Sequence, residues 1–271
     1  RGIDIGTDKV APDEQQGIAH HLIDIVEPTA TYSAAEFARD AARVIRAITA
    51  RGRVPILVGG TGFYVRALTR GLFDGPSRDD ALRARLDRMA DRRGVEALHR
   101  LVARVDPASG QRIQPRDRKR LVRALEVYFK TGTPLTAHFA QTRSPIADYD
   151  IVMLGVRIPT ALTAERVQRR VDQQFARGVV DEVRRLLSSG VPEGAHALSG
   201  LVYRQVLEFL RGERDEPSTR ALIVRENMHY ARRQLIWFRK EPSLVWLEGP
   251  GERPEAVVAA ETIVRRHGVS R

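Results

Sequence analysis

The 271-residue sequence contains no cysteine, which excludes disulfides, thiolate metal sites and cysteine nucleophiles and fits a reducing compartment. Aromatic residues make up only 6%, yet 42% of the chain is apolar, enough to bury a core in one large domain or two smaller ones. No run approaches the roughly 18 consecutive apolar residues that span a bilayer. The start, RGIDIGTDKV, lacks the charged and then apolar pattern of a secretory signal. Together these absences point to a cytoplasmic protein with no membrane segment. Lysine is scarce as well, occurring only at Lys9, Lys119, Lys130 and Lys240, so the formal net charge of +11 is carried almost wholly by arginine. Guanidinium forks grip phosphate oxygens in pairs and stack on bases, which suits RNA better than a membrane surface. A genomic bias toward arginine codons on solvated helix faces would give the same count.

The pattern along the chain is α/β. HHLIDIV (20–26) reads as a short buried strand, and 31–52 as a helix. Ser33 followed by Glu36 is a capping box, Phe37, Ala41, Val44, Ile45 and Ile48 recur on one face, and Gly52 supplies the C-terminal cap. VPILV (54–58) has the composition of a strand covered on both faces, so strand, helix and strand imply a right-handed parallel crossover. Beyond residue 73 the character changes to arginine-studded helices over 80–93, 94–105 and 116–131. Strand composition returns at 149–158. Helices follow over 162–189, 199–211 and 218–239, then the strand LVWL (244–247) and a last helix ending near Gly268. The expected division is a core of 1–77 and 148–271 with a helical insertion of 78–147.

The strand at 54–58 ends in Gly59-Gly60-Thr61-Gly62. Such a turn sets backbone N–H groups and a hydroxyl at the carboxyl edge of a parallel sheet, where α/β proteins bind ligands. Its glycines let an anion approach the following helix N-terminus. No Gly-Lys-Ser/Thr follows, so it is not a Walker loop, and a glycine turn also serves merely to pack a helix on a strand.

The flanking motifs narrow the choice. RGIDIGTDK, HHLIDI, YSAAEFARDA, RVPILVGGTGFYVRAL, RDRKRLVRALEVYFKTGTPL and YARRQLIWFR occur in this order along nearly the whole chain. Together they resemble the tRNA dimethylallyltransferase (isopentenyltransferase) family. The resemblance implies a P-loop NTPase-like α/β parallel-sheet core with an inserted arginine-rich helical domain. It implies transfer of a dimethylallyl group from dimethylallyl diphosphate to the exocyclic amine of the adenosine 3′ of the anticodon, with Mg²⁺. The partners implied are the tRNA anticodon stem-loop and dimethylallyl diphosphate, and the expected state is a monomer. Members of that family begin with a glycine-rich loop ending Gly-Lys-Ser/Thr and then Asp-Ser-x-Gln, and neither occurs here. The diphosphate cradle and the aspartate acting as general base are therefore expected before Arg1 in a longer polypeptide, the chain as given being inactive alone.

Carried over residue by residue, the resemblance puts Thr61, with Gly59, Gly60 and Gly62, where diphosphate and adenine meet, and Arg170 against the diphosphate. It assigns tRNA contacts to Arg83, to Lys119, Arg120, Leu121, Val122 and Arg123, and to Ser199, Gly200, Leu201, Val202, Tyr203 and Arg204. Each has a plainer reading: Thr61 as a helix N-cap, the arginines as solvated helix faces. Val202 stands where the family usually has glycine, and Asn227-Met228 where it has Thr-Arg. His20 and His21 read as strand-edge packing, Asp24 as a candidate contact to a metal-bound water, and Trp237 and Phe238 as core. Two other classes remain open, a nucleotide kinase with the insertion as a lid and a non-enzymatic basic RNA-binding module. The extended arginine surface argues against the kinase, whose small substrate does not require it.

Overall fold

The computed structural model describes residues 1–73 and 75–268. It divides into two compact units, Arg1–Val65 with Asp148–Arg271, and Arg66–Ala147.

In the first unit α1 (Ala34–Thr49) starts at the capping box read from the sequence, Ser33 Oγ accepting the Glu36 N–H at 3.2 Å and Glu36 the Ser33 N–H at 2.7 Å. The helix closes at Ala50, and Gly52 follows in the left-handed region at φ 67°, its N–H on the Thr49 carbonyl. α2 (Gly62–Arg70) leaves the glycine turn. β1 (Met153–Arg157) and β2 (Leu244–Glu248) pair in parallel, from Met153 opposite Leu244 to Arg157 opposite Glu248. β1 lies inside the segment read as a strand over 149–158, and β2 runs one residue beyond the 244–247 strand.

The segments 20–26 and 54–58 do not form the expected strands. Leu22 and Asp24 sit in the left-handed region at φ 62° and 55°, which breaks extended backbone, and the Val26 carbonyl accepts the N-terminal amine of Arg1 at 2.8 Å instead of a ladder bond. Val54–Val58 finds no strand neighbour among the described residues, and Ile56 and Val58 are more than four-fifths exposed. With neither segment in the sheet, the crossover inferred around α1 is not formed.

The first unit's core is helical. α8 (Thr160–Ala176), α9 (Val179–Ser188), α10 (Leu201–Leu210) and α11 (Glu216–Phe238) bury Val171, Val179, Val183, Val206 and Ile223 against one another. A single helix over 162–189 was expected; Gly178 at φ 87° divides it. α12 (Pro254–Arg266) completes the unit.

In the second unit α3 (Asp80–Arg93), α4 (Val95–Val105) and α6 (Arg118–Thr131) pack Leu86, Leu98, Val102, Leu121 and Leu125 into a separate core. Two short helices escaped the sequence reading, α5 (Pro107–Arg112) and α7 (Leu135–Ala140). Buried Asp106 joins them, accepting the Ser109 N–H at 3.0 Å and the Thr136 N–H at 3.0 Å.

Candidate active site and basic surfaces

The glycine turn is built against α11. A Cβ at Gly62 would lie 2.3 Å from the Trp237 ring, and one at Gly60 would lie 2.2 Å from Gln234 Nε2, so neither position admits a side chain with its neighbour in place. Gln234 Nε2 donates to the Gly60 carbonyl at 3.0 Å. Gln234 and Trp237, one helical turn apart, thus hold both glycines. Trp237 and Phe238, read as core, are half-buried and in edge contact at 4.7 Å. Opposite α11, Tyr64 of α2 stacks on Phe37 of α1 at 4.7 Å and donates its hydroxyl to the Tyr32 carbonyl at 3.0 Å. Burial first, and then Glu36, raises the Tyr64 phenol.

Thr61 is exposed at the head of α2, where its carbonyl accepts the N–H groups of Tyr64 at 2.9 Å and Val65 at 3.1 Å. Its hydroxyl bonds to no other described residue, so it does not act as a side-chain cap. The turn therefore presents a fixed backbone and an unengaged hydroxyl. Arg170, on α8, forms an ion pair with Asp8, Nε to Oδ2 at 2.9 Å.

The basic helix of the second unit is less available than its sequence implied. Lys119 and Arg120 are exposed, Arg120 pairing with Asp117 at 3.1 Å. Leu121 and Val122 are buried, which leaves Lys119 and Arg120 as the exposed side chains of this stretch. Arg83 and Arg123 converge on Glu126, which is fully buried. Glu126 accepts two bonds from Arg83 at 2.8 Å, one from Arg123 at 2.6 Å and the Asp79 N–H at 2.8 Å. Burial alone would raise this carboxyl, but Arg83, the Asp79 N–H and Arg123 outweigh it and hold it down to about 2.

In the stretch 199–204, Ser199, Gly200 and Arg204 are exposed and Leu201 is half-buried, while Val202 and Tyr203 are buried. The exposed side chains of the stretch are therefore those of Ser199 and Arg204. Tyr203 gives its hydroxyl to Glu182, and burial followed by that carboxylate pushes the phenol far up. Glu182, Gln234 and Asp8 were missed as site-forming residues. Gln234 and Asp8 lie within quoted motifs, one turn before Trp237 in YARRQLIWFR and at the end of RGIDIGTDK, whereas Glu182 lies in none.

Asp24 carries no metal signature: it pairs with Lys9 and the N-terminal amine, and Lys9 holds its carboxyl low. His20 and His21 are exposed rather than packed on a strand edge. Among the described residues no group of three or more His, Asp or Glu is placed to hold a metal ion.

The IPP transferase family model matches residues 1–241. The tRNA dimethylallyltransferase of Geobacter metallireducens is 42% identical over 252 residues, 93% of this chain and 82% of that protein. That of Carboxydothermus hydrogenoformans is 37% identical over 269 residues, 99% of this chain and 86% of that one. The structure of full-length tRNA isopentenylpyrophosphate transferase from Bacillus halodurans superposes with a TM-score of 0.69 at 32% identity, covering 99% of this chain and 84% of that one. A eukaryotic dimethylallyltransferase acting on tRNA, at 20% identity and covering 99% of this chain and 70% of its own, has the same fold with a TM-score of 0.77. The class follows first: a transferase with a P-loop NTPase-like α/β fold carrying a helical insertion. Within that class, the chain belongs to the IPP transferase family.

Proposed function

We propose that the chain transfers a dimethylallyl group from dimethylallyl diphosphate to the N6 amine of the adenosine 3′-adjacent to the anticodon of tRNA. The observation that carries this reading is the glycine turn with the unengaged Thr61 hydroxyl, in a chain 42% identical to a tRNA dimethylallyltransferase. An exocyclic amine is a poor nucleophile, so the site must align it with C1 of the donor and take up its proton. The N–C1 bond forms as C1–O breaks, and diphosphate leaves with the bonding pair. Thr61 offers its hydroxyl where amine and diphosphate meet, and Arg170 supplies a fixed cation to the charge that develops on the leaving group. The adenine is flipped out of a single-stranded loop, which costs little.

Lys119, Arg120, Ser199, Gly200 and Arg204 are exposed and suited to phosphate contacts, which position the RNA without reading its sequence. No described helix is long and apolar enough to cross a membrane; the reading takes the enzyme as a cytoplasmic monomer, which sedimentation checks. The functional test is label transfer from dimethylallyl diphosphate to an anticodon stem-loop carrying adenosine or guanosine at the acceptor position. Labelling of the adenosine loop alone is expected. Equal labelling of both loops defeats the assignment.

A further inference from the structure

Residues 4–8 form a turn held by three helices, and the groups that hold it end on Arg170. Glu182 of α9 is only 3% exposed, although it is a carboxylate. It accepts the backbone N–H groups of Asp4 at 3.0 Å, Ile5 at 2.6 Å and Gly6 at 3.3 Å, together with the Tyr203 hydroxyl of α10. Three successive amides converging on one buried carboxylate fix the backbone independently of the side chains at 4 and 5. Gly6 is required for the approach, because a Cβ there would lie 2.6 Å from Tyr203 Cζ. The turn then delivers Asp8 in the left-handed region at φ 51°, its N–H on the Ile5 carbonyl at 3.2 Å.

Arg170 and Gln174 of α8 and Arg177, which caps it, recur at helical spacing and share one face. Buried Gln174 donates to the Gly6 carbonyl at 3.4 Å. Arg170 Nε lies 2.9 Å from Asp8 Oδ2 and Arg177 Nη1 lies 3.7 Å from Oδ1. No other described residue pairs with Arg170.

We propose that Asp8 is a positioning residue for Arg170, its carboxylate holding the guanidinium by an ion pair on the Nε side and leaving the terminal nitrogens for the departing diphosphate. The proposal rests on the assignment of Arg170 to the leaving group made above. An untethered arginine on a helix surface samples many rotamers, whereas transition-state stabilisation needs a donor already in place. The neighbouring carboxylate does not turn the site anionic, because two guanidiniums flank one carboxylate and the cluster keeps a net positive charge. The ion pair is too exposed to matter greatly for stability, the two side chains being 59% and 31% accessible. A role in the reaction and a role in the fold therefore predict different results.

The test is single-turnover transfer at saturating stem-loop and donor by the full-length protein, for Asp8→Ala, Asp8→Asn, Arg170→Ala and Asp8→Ala combined with Arg170→Ala. Asp8→Ala should slow transfer about tenfold while stem-loop affinity and the melting temperature stay as in the parent. Asp8→Asn, which keeps the shape and a carbonyl oxygen but loses the charge, should recover only part of the rate. In the Arg170→Ala background, Asp8→Ala should add no further loss, because the two residues act as a unit. An equal loss from Asp8→Ala in both backgrounds overturns the proposal, as does faster transfer, which would make Asp8 a competitor of the diphosphate. Arg170→Ala slow with Asp8→Ala at the parent rate overturns the pairing alone. Arg170→Ala at the parent rate overturns the leaving-group assignment and the proposal with it.

Discussion

Among the described residues, each unit has a carboxylate shared by two arginines, and the two clusters behave as opposites. Around Glu126 the carboxylate is fully buried and receives three guanidinium bonds and an amide. Around Asp8 the carboxylate is 31% accessible and meets one guanidinium at 2.9 Å and a second at 3.7 Å. A buried carboxylate must be neutralised in place or it destabilises the fold, so Arg83 and Arg123 are committed to the structure of the insertion. Water already solvates Asp8 in part, so Arg170 is free to serve something else. Arginines that look alike in sequence thus divide according to the burial of the acid they meet.

The sharpest way to break this contrast is Glu126→Ala, which leaves two cations facing a dry hole. A loss of about 3–5 kcal/mol is expected, lowering the melting of the insertion by well over ~10 °C, followed by calorimetry. The same cluster sets a pH dependence. Its folded pKa of about 2 lies below the ordinary 4.5, so the stabilisation, about 3 kcal/mol, is complete above the unfolded value. It drains away as pH falls from there toward 2. An acid melt of the Glu126→Gln variant that shows the parent's slope would contradict this.

Gly62→Ala should come next, at about 1–3 kcal/mol, because the new methyl meets the Trp237 ring at 2.3 Å. Transfer should fall with it, as the turn is displaced from α11. A variant with full stability and activity would mean that the turn is not held as described.

A smaller effect separates the arginines by availability. Replacing Lys119 and Arg120 together by alanine should flatten the slope of log K against log salt for stem-loop binding by roughly 1.5, for two phosphate contacts. Arg83→Ala should leave that slope almost unchanged while lowering stability. If Arg83→Ala flattens the slope as much, the insertion's buried cluster faces the RNA after all. The smallest effect is that of Asp8→Ala on stability, under ~1 kcal/mol, read from a chemical melt.

Local signals carried most of the helices. The capping box at Ser33 and Glu36 and the apolar faces of α3, α4 and α6 depend on residues three or four apart. Gly178 and the Asp106-Pro107 start of α5 were equally local and were passed over. Strands are another matter, since an apolar run states a wish for burial and not a neighbour to pair with. Met153–Arg157 finds Leu244–Glu248 91 residues on, whereas Val54–Val58, with the better composition, finds none among the described residues. At the candidate site, the glycine turn was legible because glycine has few other reasons to recur at 59, 60 and 62. Glu182 and Asp8 were not, because their partners lie 178 and 162 residues away in the chain. The burial of Leu121 follows from the helical spacing that also places Leu125 in the core.

The contact between Gly62 and Trp237 also bears on how such a chain can change over generations. Because the indole occupies the space a side chain at 62 would need, neither position can drift alone. A larger residue at 62 becomes tolerable only in a lineage that has already traded the indole for something smaller, and a smaller residue at 237 opens a hollow until 62 is filled. The two sites, 175 positions apart, are therefore expected to be inherited as a pair. Gly62→Ala should be a harsher lesion alone than when combined with Trp237→Leu.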